Sequence, residues 1–508
     1  MARRCTSMPS AGRRARAGWR AAAAALTAAM TLAAGALTGC GTSPVPGPSG
    51  PTYAALARGA VTTLEQRYYH PSGEWNVCLP AHCGAQNMDW GSDSLTYVLY
   101  LHWLTSHDKR VPAMMDALAG TAYSYTPQVH TSSDVPAWDT IADIREYQVT
   151  GSPSALAKAE AALRWLVYMS PTFALGACPG IVYQLPYGAI GLKTLESDSN
   201  FVKATLLLYQ ITHYRPYLRQ AETRYAAIRH TYFDPATQLY SVYVFDNGHT
   251  CRRVSHRYFG SVNGNLIWSG YTLAGITGHR SYLSQAIATA HAAAQHLGDA
   301  TGVYADLQAE NDIAEPLVEA MYVLASAGHQ AFARSWLLTS ASAAAGDVNA
   351  SGAYGRFFDG PPPRAPVTVW QVNGGLAVAV AAAALDPRGR AANPGFWRRA
   401  VFVHRDLRLA GHPVQFTFTG RAVAIIGTIG EVCCQPGHAR VYLDGRQTFD
   451  GTGIWQNKSS SGRSLPGAVL FAWRWPRPGR HTIEIRPGVG NAKEGRSFFH
   501  MTGYDLVR

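Results

Sequence analysis

One phrase recurs along the first two thirds of the chain: an apolar helix end, a short polar turn and the start of a new helix. It reads YLHWLTSHDKRV, IREYQVTGSPSAL, LLLYQITHYRPYL, TLAGITGHRSYL and YVLASAGHQAF, with turn marks at Thr105, Thr150, Thr212, Thr277 and Ala327. The separations of 45, 62, 65 and 50 residues are those of successive αα-hairpins. Gly151 and Gly278 suit a helix C-terminus, where the chain needs a left-handed residue, and the Ser and Pro beyond them open the next helix. Helices such as AIATAHAAAQHL and GGLAVAVAAAAL carry too little polar face for a single solvated layer, so they need neighbours on two sides. With a last helix at Gly374 to Leu385 and an outer partner for it, about six hairpins result. They close as two concentric rings, an (α/α)6 toroid, or remain an open α-solenoid; hairpin spacing alone permits both.

After LDPRGRAANPG the period changes to two. VQFTFTG, RVYLDGR, VLFAWRW and HTIEIR are strand runs, and Asp444-Gly445 suits a tight turn, so a small β-sandwich is predicted. Trp455, Trp473 and Trp475 on these strands either stack on sugar rings or fill the core. Charge divides at the same place. Residues 387–508 carry 18 Lys+Arg against 7 Asp+Glu, whereas residues 41–386 sum to −5. A basic tail suits anionic lipid or an acidic wall polymer as well as a merely solvated surface.

The first 39 residues hold six arginines and no acid, then an apolar run ending LTGC at Cys40. This is an export signal, and LTGC resembles a bacterial lipobox, which makes Cys40 the acylated N-terminus of a lipid-anchored protein. The expected organisation is signal peptide 1–39, Pro/Gly tether 40–52, helical domain 53–386, linker 387–400 and sandwich 401–508. No mature membrane span is expected, and an exported chain is a poor nucleic-acid partner. Six further cysteines, Cys78, Cys83, Cys178, Cys251, Cys433 and Cys434, read as disulfides: Cys78 with Cys83, Cys178 with Cys251, and a vicinal bridge. A zinc site is the rival, but no CxxC pair with matching His is present.

Chemistry concentrates at predicted helix starts. SSDVPAWDTIADIREYQVTG holds Asp134, Trp138, Asp139 and Asp143; MDWGSDSLTY holds Asp89, Trp90 and Asp93; LESDSNF holds Glu196 and Asp198; AENDIAEPLVE holds Glu310, Asp312 and Glu315. Each group reads as helix capping or as part of a carbohydrate groove onto which the inner helix starts converge. Trp90, Trp138, Trp268 and Trp370 are the sugar platforms of the second reading. No phosphate-cradling glycine loop, serine-nucleophile elbow or metal-ligand spacing is found, so no cofactor or metal is implied.

Over residues 53–385 the chain resembles the six-hairpin glycosidases, and most nearly the bacterial α-1,6-mannanases of glycoside hydrolase family 76. Trp138, Tyr147, Thr150 and Gly151 fall in step with that family's W..A..YDLTGD; Lys193, Ser197, Leu208 and Tyr209 match its Lys, Ser-Asn and Leu-Tyr positions; Asn263-Gly264 stands where it has Gln-Gly. The resemblance implies a hydrolase acting on an α-linked, mannan-like glycan, with two adjacent aspartates as nucleophile and acid/base. Those positions fall here on Asp134 and Val135. A retaining glycosidase needs two carboxyls about 5–5.5 Å apart, and valine supplies none. Asp139 lies four residues after Val135, one helical turn of about 5.4 Å along, and is the expected replacement. The resemblance thus implies Asp134 and Asp139 as catalytic, with Asp89, Trp90, Asp93, Trp138, Asp198, Asn263, Trp268, Asp312 and Trp370 on the substrate. The alternative is a non-catalytic glycan-binding or envelope-organising protein, which Val135 favours.

Overall fold

The computed structural model describes residues 50–69, 89–119, 133–169, 177–178, 191–254, 257–305, 314–364, 369–392, 395–409, 413–430, 436–449, 454–457, 464–487 and 499–508. Twelve α-helices lie among them: α1 Tyr53–Thr63, α2 Asp89–Ser106, α3 Val111–Ala119, α4 Val135–Thr150, α5 Pro153–Met169, α6 Leu195–Thr212, α7 Arg215–Tyr232, α8 Gly260–Thr277, α9 Arg280–His296, α10 Glu315–Ser326, α11 Ala331–Ala344 and α12 Val369–Leu385. Each even-numbered helix packs against the next even-numbered one, and α12 packs against α2, so the inner ring closes. The open solenoid is thereby excluded. Odd-numbered helices form the outer layer, and the outer partner of α12 is the N-terminal α1. Backbone bonds from Tyr53 to Gly389 at 2.9 Å and from Ala391 to Pro51 at 3.0 Å tie the two ends of the ring together.

The recurring turn phrase has a hydrogen-bond explanation. Thr150, Thr212 and Thr277 each donate the hydroxyl to the carbonyl four residues back, at 2.8, 2.8 and 2.7 Å. The same hydroxyl accepts the N–H two residues on, at 3.1, 3.2 and 3.2 Å. In the first hairpin this double bond is made by Ser106, not by Thr105 alone. A left-handed residue follows the helix at all five turns: Gly151 and Gly278 as expected, His107 and His213 directly after their helices, and His329 two residues beyond Ala327, which ends α10. Histidine is among the residues that tolerate this region, which is why glycine does not mark every turn.

Burial separates the layers. Outer α7 buries Leu218, Ala221, Tyr225, Ile228 and Tyr232, one stripe of an amphipathic helix. Inner α8 is buried from Gly260 to Gly270 without a break. A Cβ on its Gly264 would stand 2.2 Å from Leu317 N, so glycine lets the first turn of α10 press against α8.

Short hairpins β1 Gly191–Thr194, β2 Phe233–Asp234, β3 Leu239–Tyr240, β4 Tyr243–Asp246 and β5 Cys251–Arg253 lie between helices. The Cys178–Cys251 disulfide is formed and ties β5 to the segment before β1. Cys40, Cys78, Cys83, Cys433 and Cys434 lie outside the described residues.

An all-β region follows the helices: β6 Val401–Leu409, β7 Val414–Gly430, β8 Pro436–Leu443, β9 Arg446–Gln447, β10 Ile454–Asn457, β11 Ser464–Pro487 and β12 Phe499–Val507. Its ladders are antiparallel in the order β10-β8-β11-β7-β12-β6, with β9 on β8. The long strands β7 and β11 pair throughout, with register shifts near Pro466, Val469 and Arg474. Their halves differ: Gln415 to Thr419 alternate between exposed and buried, whereas Ala422 to Gly427 are buried on both faces. Ala305 and Phe357 of the helical body enter this core, as does Trp475. Trp473 stacks on Phe471 with ring centres 6.2 Å apart. Arg364 clamps Asp505 through two 2.8 Å bonds, and Arg474 meets Asp359 at 2.9 Å, both joining helical-body loops to strands. Among the described residues no helix is long and apolar enough to cross a membrane.

Candidate functional site

The inner helix starts are stitched by hydroxyls. Ser133, just before α4, and Ser197, in the first turn of α6, share a 2.6 Å hydrogen bond. Ser261 of α8 donates to Glu196 at 2.7 Å, and Thr194 caps α6 through the Glu196 N–H. Asp134 and Glu196 each neighbour one of the bonded serines in sequence, so they stand at adjacent helix starts. Asp134 occupies the N-cap position of α4, yet its side chain makes no capping bond and its backbone is already helical at φ −76°, ψ −33°. Capping therefore does not account for this aspartate.

Two stripes run down α4. Asp134, Trp138 and Arg145 are spaced i, i+4 and i+11 on one face. Trp138 meets Tyr97 of α2 edge-on at 5.9 Å. Arg145 lies 3.9 Å over the Tyr100 ring and donates to Glu319 of α10, across the ring, so this face looks to the axis. Asp139, Asp143 and Glu146 form the second stripe, turned about 100° away. That stripe faces the outer layer. Burial first, then Asp139, push the Asp143 carboxyl up to about 8 against the pull of Lys158 on α5. Burial likewise raises Glu146 to about 7, with Lys158 opposing and Asp116 of α3 adding to it.

Asp139 thus stands with Asp143 and Glu146, off the face that carries Asp134. It lies one turn along the helix from Val135 and on the face of Val135, not on that of Asp134. Arg145 reaches Glu319, not the acids Asp143 and Glu146 of its own helix.

Below the starts, the axis is filled. Lys203 of α6 donates to Glu319 at 2.6 Å and to the Tyr97 hydroxyl at 3.0 Å, and its ammonium lies 4.2 Å over the Tyr97 ring and 5.2 Å from the Trp268 ring. Burial pulls Lys203 down to about 8, with Glu319 opposing. Burial pushes Glu319 up, but Arg145 and Lys203 outweigh it and hold the carboxyl below its ordinary value. The Tyr97 phenol is held well above its usual value by burial and then by Glu319, with Arg145 opposing and Glu315 and Glu196 adding. Carboxylates of α6 and α10 thus both raise this phenol. Glu196 and Glu315, which the sequence left among the competing acids, both act on this phenol.

Several other expected ligand contacts have structural partners. Asn263 holds both backbone groups of Tyr240, at 2.9 and 3.2 Å, and the Phe259 carbonyl at 2.8 Å. Asp198 is fully buried and accepts Arg224 of α7 at 3.1 Å, between inner and outer layers. Trp138 and Trp268 are only 3% and 6% exposed, so they are packed in the helical core and are not open platforms. Asp93 is buried at the start of α2. Asp89, Trp90 and Trp370 begin α2 and α12, but their side chains, like Asp312, lie outside the described residues.

No protein-family model matches the chain, and no curated protein matches it by sequence. Solved structures do match. An α-1,6-mannanase of glycoside hydrolase family 76 from Salegentibacter sp. HEL1_6, inactivated by replacing two adjacent aspartates and complexed with α-1,6-mannotriose, is 17% identical. The match has a TM-score of 0.56 and covers 66% of this chain and all of that one. A family 76 glycoside hydrolase from a bovine Bacteroides thetaiotaomicron strain gives 17% identity and a TM-score of 0.57, over 66% of this chain and 78% of that one. A family 76 mannosidase from Bacteroides thetaiotaomicron VPI-5482 gives 16% and 0.55, over 66% and 98%. The helical body has the six-hairpin glycosidase fold of these enzymes.

Proposed function

We propose that this chain, whose helical body has the fold of the family 76 mannanases, is a lipid-anchored cell-surface protein that takes an α-linked, mannan-like polysaccharide at the inner helix starts and hydrolyses it. The observation that carries this reading is the rim itself: Asp134 without a capping bond, joined through Ser133–Ser197 to the helix start that bears Glu196. In this reading Asp134 faces the glycosidic bond and Glu196 supplies the second carboxyl, with Glu315 beside them. The apolar run ending LTGC at Cys40 supports a lipid anchor on the outer face of a membrane.

Val135 favours a second reading, in which the rim binds the same glycan without cutting it. Incubation of the protein with α-1,6-mannotetraose, reading both calorimetric binding and reducing ends, separates the two. Cleavage that falls about 10²-fold or more in Asp134→Asn and Glu196→Gln supports hydrolysis. Binding without cleavage supports the second reading, and neither binding nor cleavage overturns both.

A further inference from the structure

Away from the helix starts, a groove of about 580 Å³ runs between the outer helix α11 and the strand region. Its size falls within the range of about 300–1,000 Å³ usual for ligand sites. One wall is a row of hydroxyls, Ser335, Thr339 and Ser342, with Tyr53 of α1 bonded to Ser342 at 2.7 Å. The opposite wall is cationic and aromatic. Arg474 and Arg421 have their guanidinium centres 3.9 and 5.8 Å from the Phe396 ring centre, and Arg390 also lines the groove.

The charges do not cancel. Asp359 is the groove's carboxylate, and its two oxygens are taken by Arg474 at 2.9 Å and Thr301 at 3.2 Å. Arg421 donates Nε to the Trp475 carbonyl at 3.3 Å, and Arg390 donates to the Gly50 carbonyl at 2.9 Å; neither has a carboxylate partner among the described residues. Arg474 keeps Nε buried without an acceptor. Arg421 is oriented by its backbone bond to Trp475, near the Phe396 ring, and a planar guanidinium fork matches the oxygens of phosphate or carboxylate.

We infer that this groove is a second binding site, distinct from the helix starts, for an anionic polyol segment: a phosphate or carboxylate carried on a hydroxyl-rich unit, as in acidic envelope polymers. The arginines take the oxyanion, and the α11 hydroxyls meet the polyol. A neutral mannan lacks the group that Arg421 and Arg390, without a carboxylate partner among the described residues, select. The site would let the basic tail hold the protein on an acidic polymer while the helical ring engages another glycan.

The test is calorimetric titration of the intact chain with glycerol 3-phosphate, with digalacturonic acid and with neutral α-1,6-mannotriose, using Arg421→Gln and Thr339→Trp. The second variant fills the groove from an exposed helical position and leaves the sheet untouched. The expected result is that at least one anionic probe binds, more weakly as salt rises, and loses about tenfold or more in affinity in both variants while mannotriose is unaffected. Which probe binds identifies the phosphate or the carboxylate source. Failure of both anions to bind the wild type at millimolar concentration, or unchanged anion binding in both variants, overturns the proposal.

Discussion

Lys203 donates to one oxygen of Glu319 at 2.6 Å while Arg145 holds the other, so two cations from different inner helices share one anion at the closed ring's axis. All three side chains are nearly or fully buried. The arrangement predicts unequal costs. Glu319→Gln leaves two buried cations without their carboxylate and is expected to cost about 3–5 kcal/mol. Lys203→Met leaves a one-to-one Arg145–Glu319 pair and should cost clearly less. Denaturant melts of both variants check this, and an equal or reversed order would sink the account of the network.

The second stripe of α4 makes stability fall with pH. Asp143 has its folded pKa raised to about 8, above the ordinary aspartate value of about 3.9. Between those values the folded chain binds more protons than the unfolded one, so stability declines as pH rises through this window. Asp143→Asn should therefore be nearly neutral at pH 4 and stabilising at pH 9, on the order of a few kcal/mol. Lys158→Met, which removes the opposing charge, should steepen the wild-type decline. Melting temperatures across pH 4–9 decide the matter; a pH-independent effect of Asp143→Asn would refute it.

What the sequence made legible follows from the range of the forces involved. Turn bonds such as Thr150 to Glu146 and Ser152 are local, so the hairpin phrase showed them directly. Closure was not local: it depends on α12 meeting α2 and α1, which hairpin spacing leaves open. The neighbours of the acids on α4 were not legible for a related reason. Only the partners of Trp138 and Arg145 reveal which face of α4 looks to the axis, and Glu319 lies 174 residues from Arg145 in sequence. The tryptophans looked like platforms because inner helices, packed on both sides, bury aromatics that an exposed helix would display.

The turn hydroxyls are predicted to act additively. Thr212→Val and Thr277→Val each remove a donor to the preceding turn and an acceptor for the next N–H, at the cost of about 1 kcal/mol apiece. The two turns belong to successive hairpins and share no hydrogen-bond partner, so the double variant should lose the sum. A chemical melt of the three variants tests this. No loss in either single variant would show that the repeated threonines are not stabilising.

Cys178, Asp246 and Cys251 form one unit, so their removal is predicted to be non-additive. Asp246 accepts the Ala177 and Cys178 N–H groups at 2.9 and 3.0 Å and Lys193 at 2.8 Å, and it pairs in register with Cys251. Burial alone would raise this carboxyl, but Ala177, Lys193, Gly248 and Cys178 together bring it down to about 2. Its contribution is therefore present above the ordinary value of about 3.9 and lost as pH falls through about 2. The disulfide closes a loop of 73 residues, and converting both cysteines to serine should cost about 2–4 kcal/mol. Without it, the segment carrying the Ala177 and Cys178 donors is no longer tethered to β5, so Asp246→Asn should cost less in the serine background than in the wild type. A double-mutant cycle at pH 7 is expected to give a coupling of about 0.5–3 kcal/mol, shrinking toward pH 2 as Asp246 protonates. Strict additivity at pH 7 would show that the bridge and the carboxylate hold this segment independently.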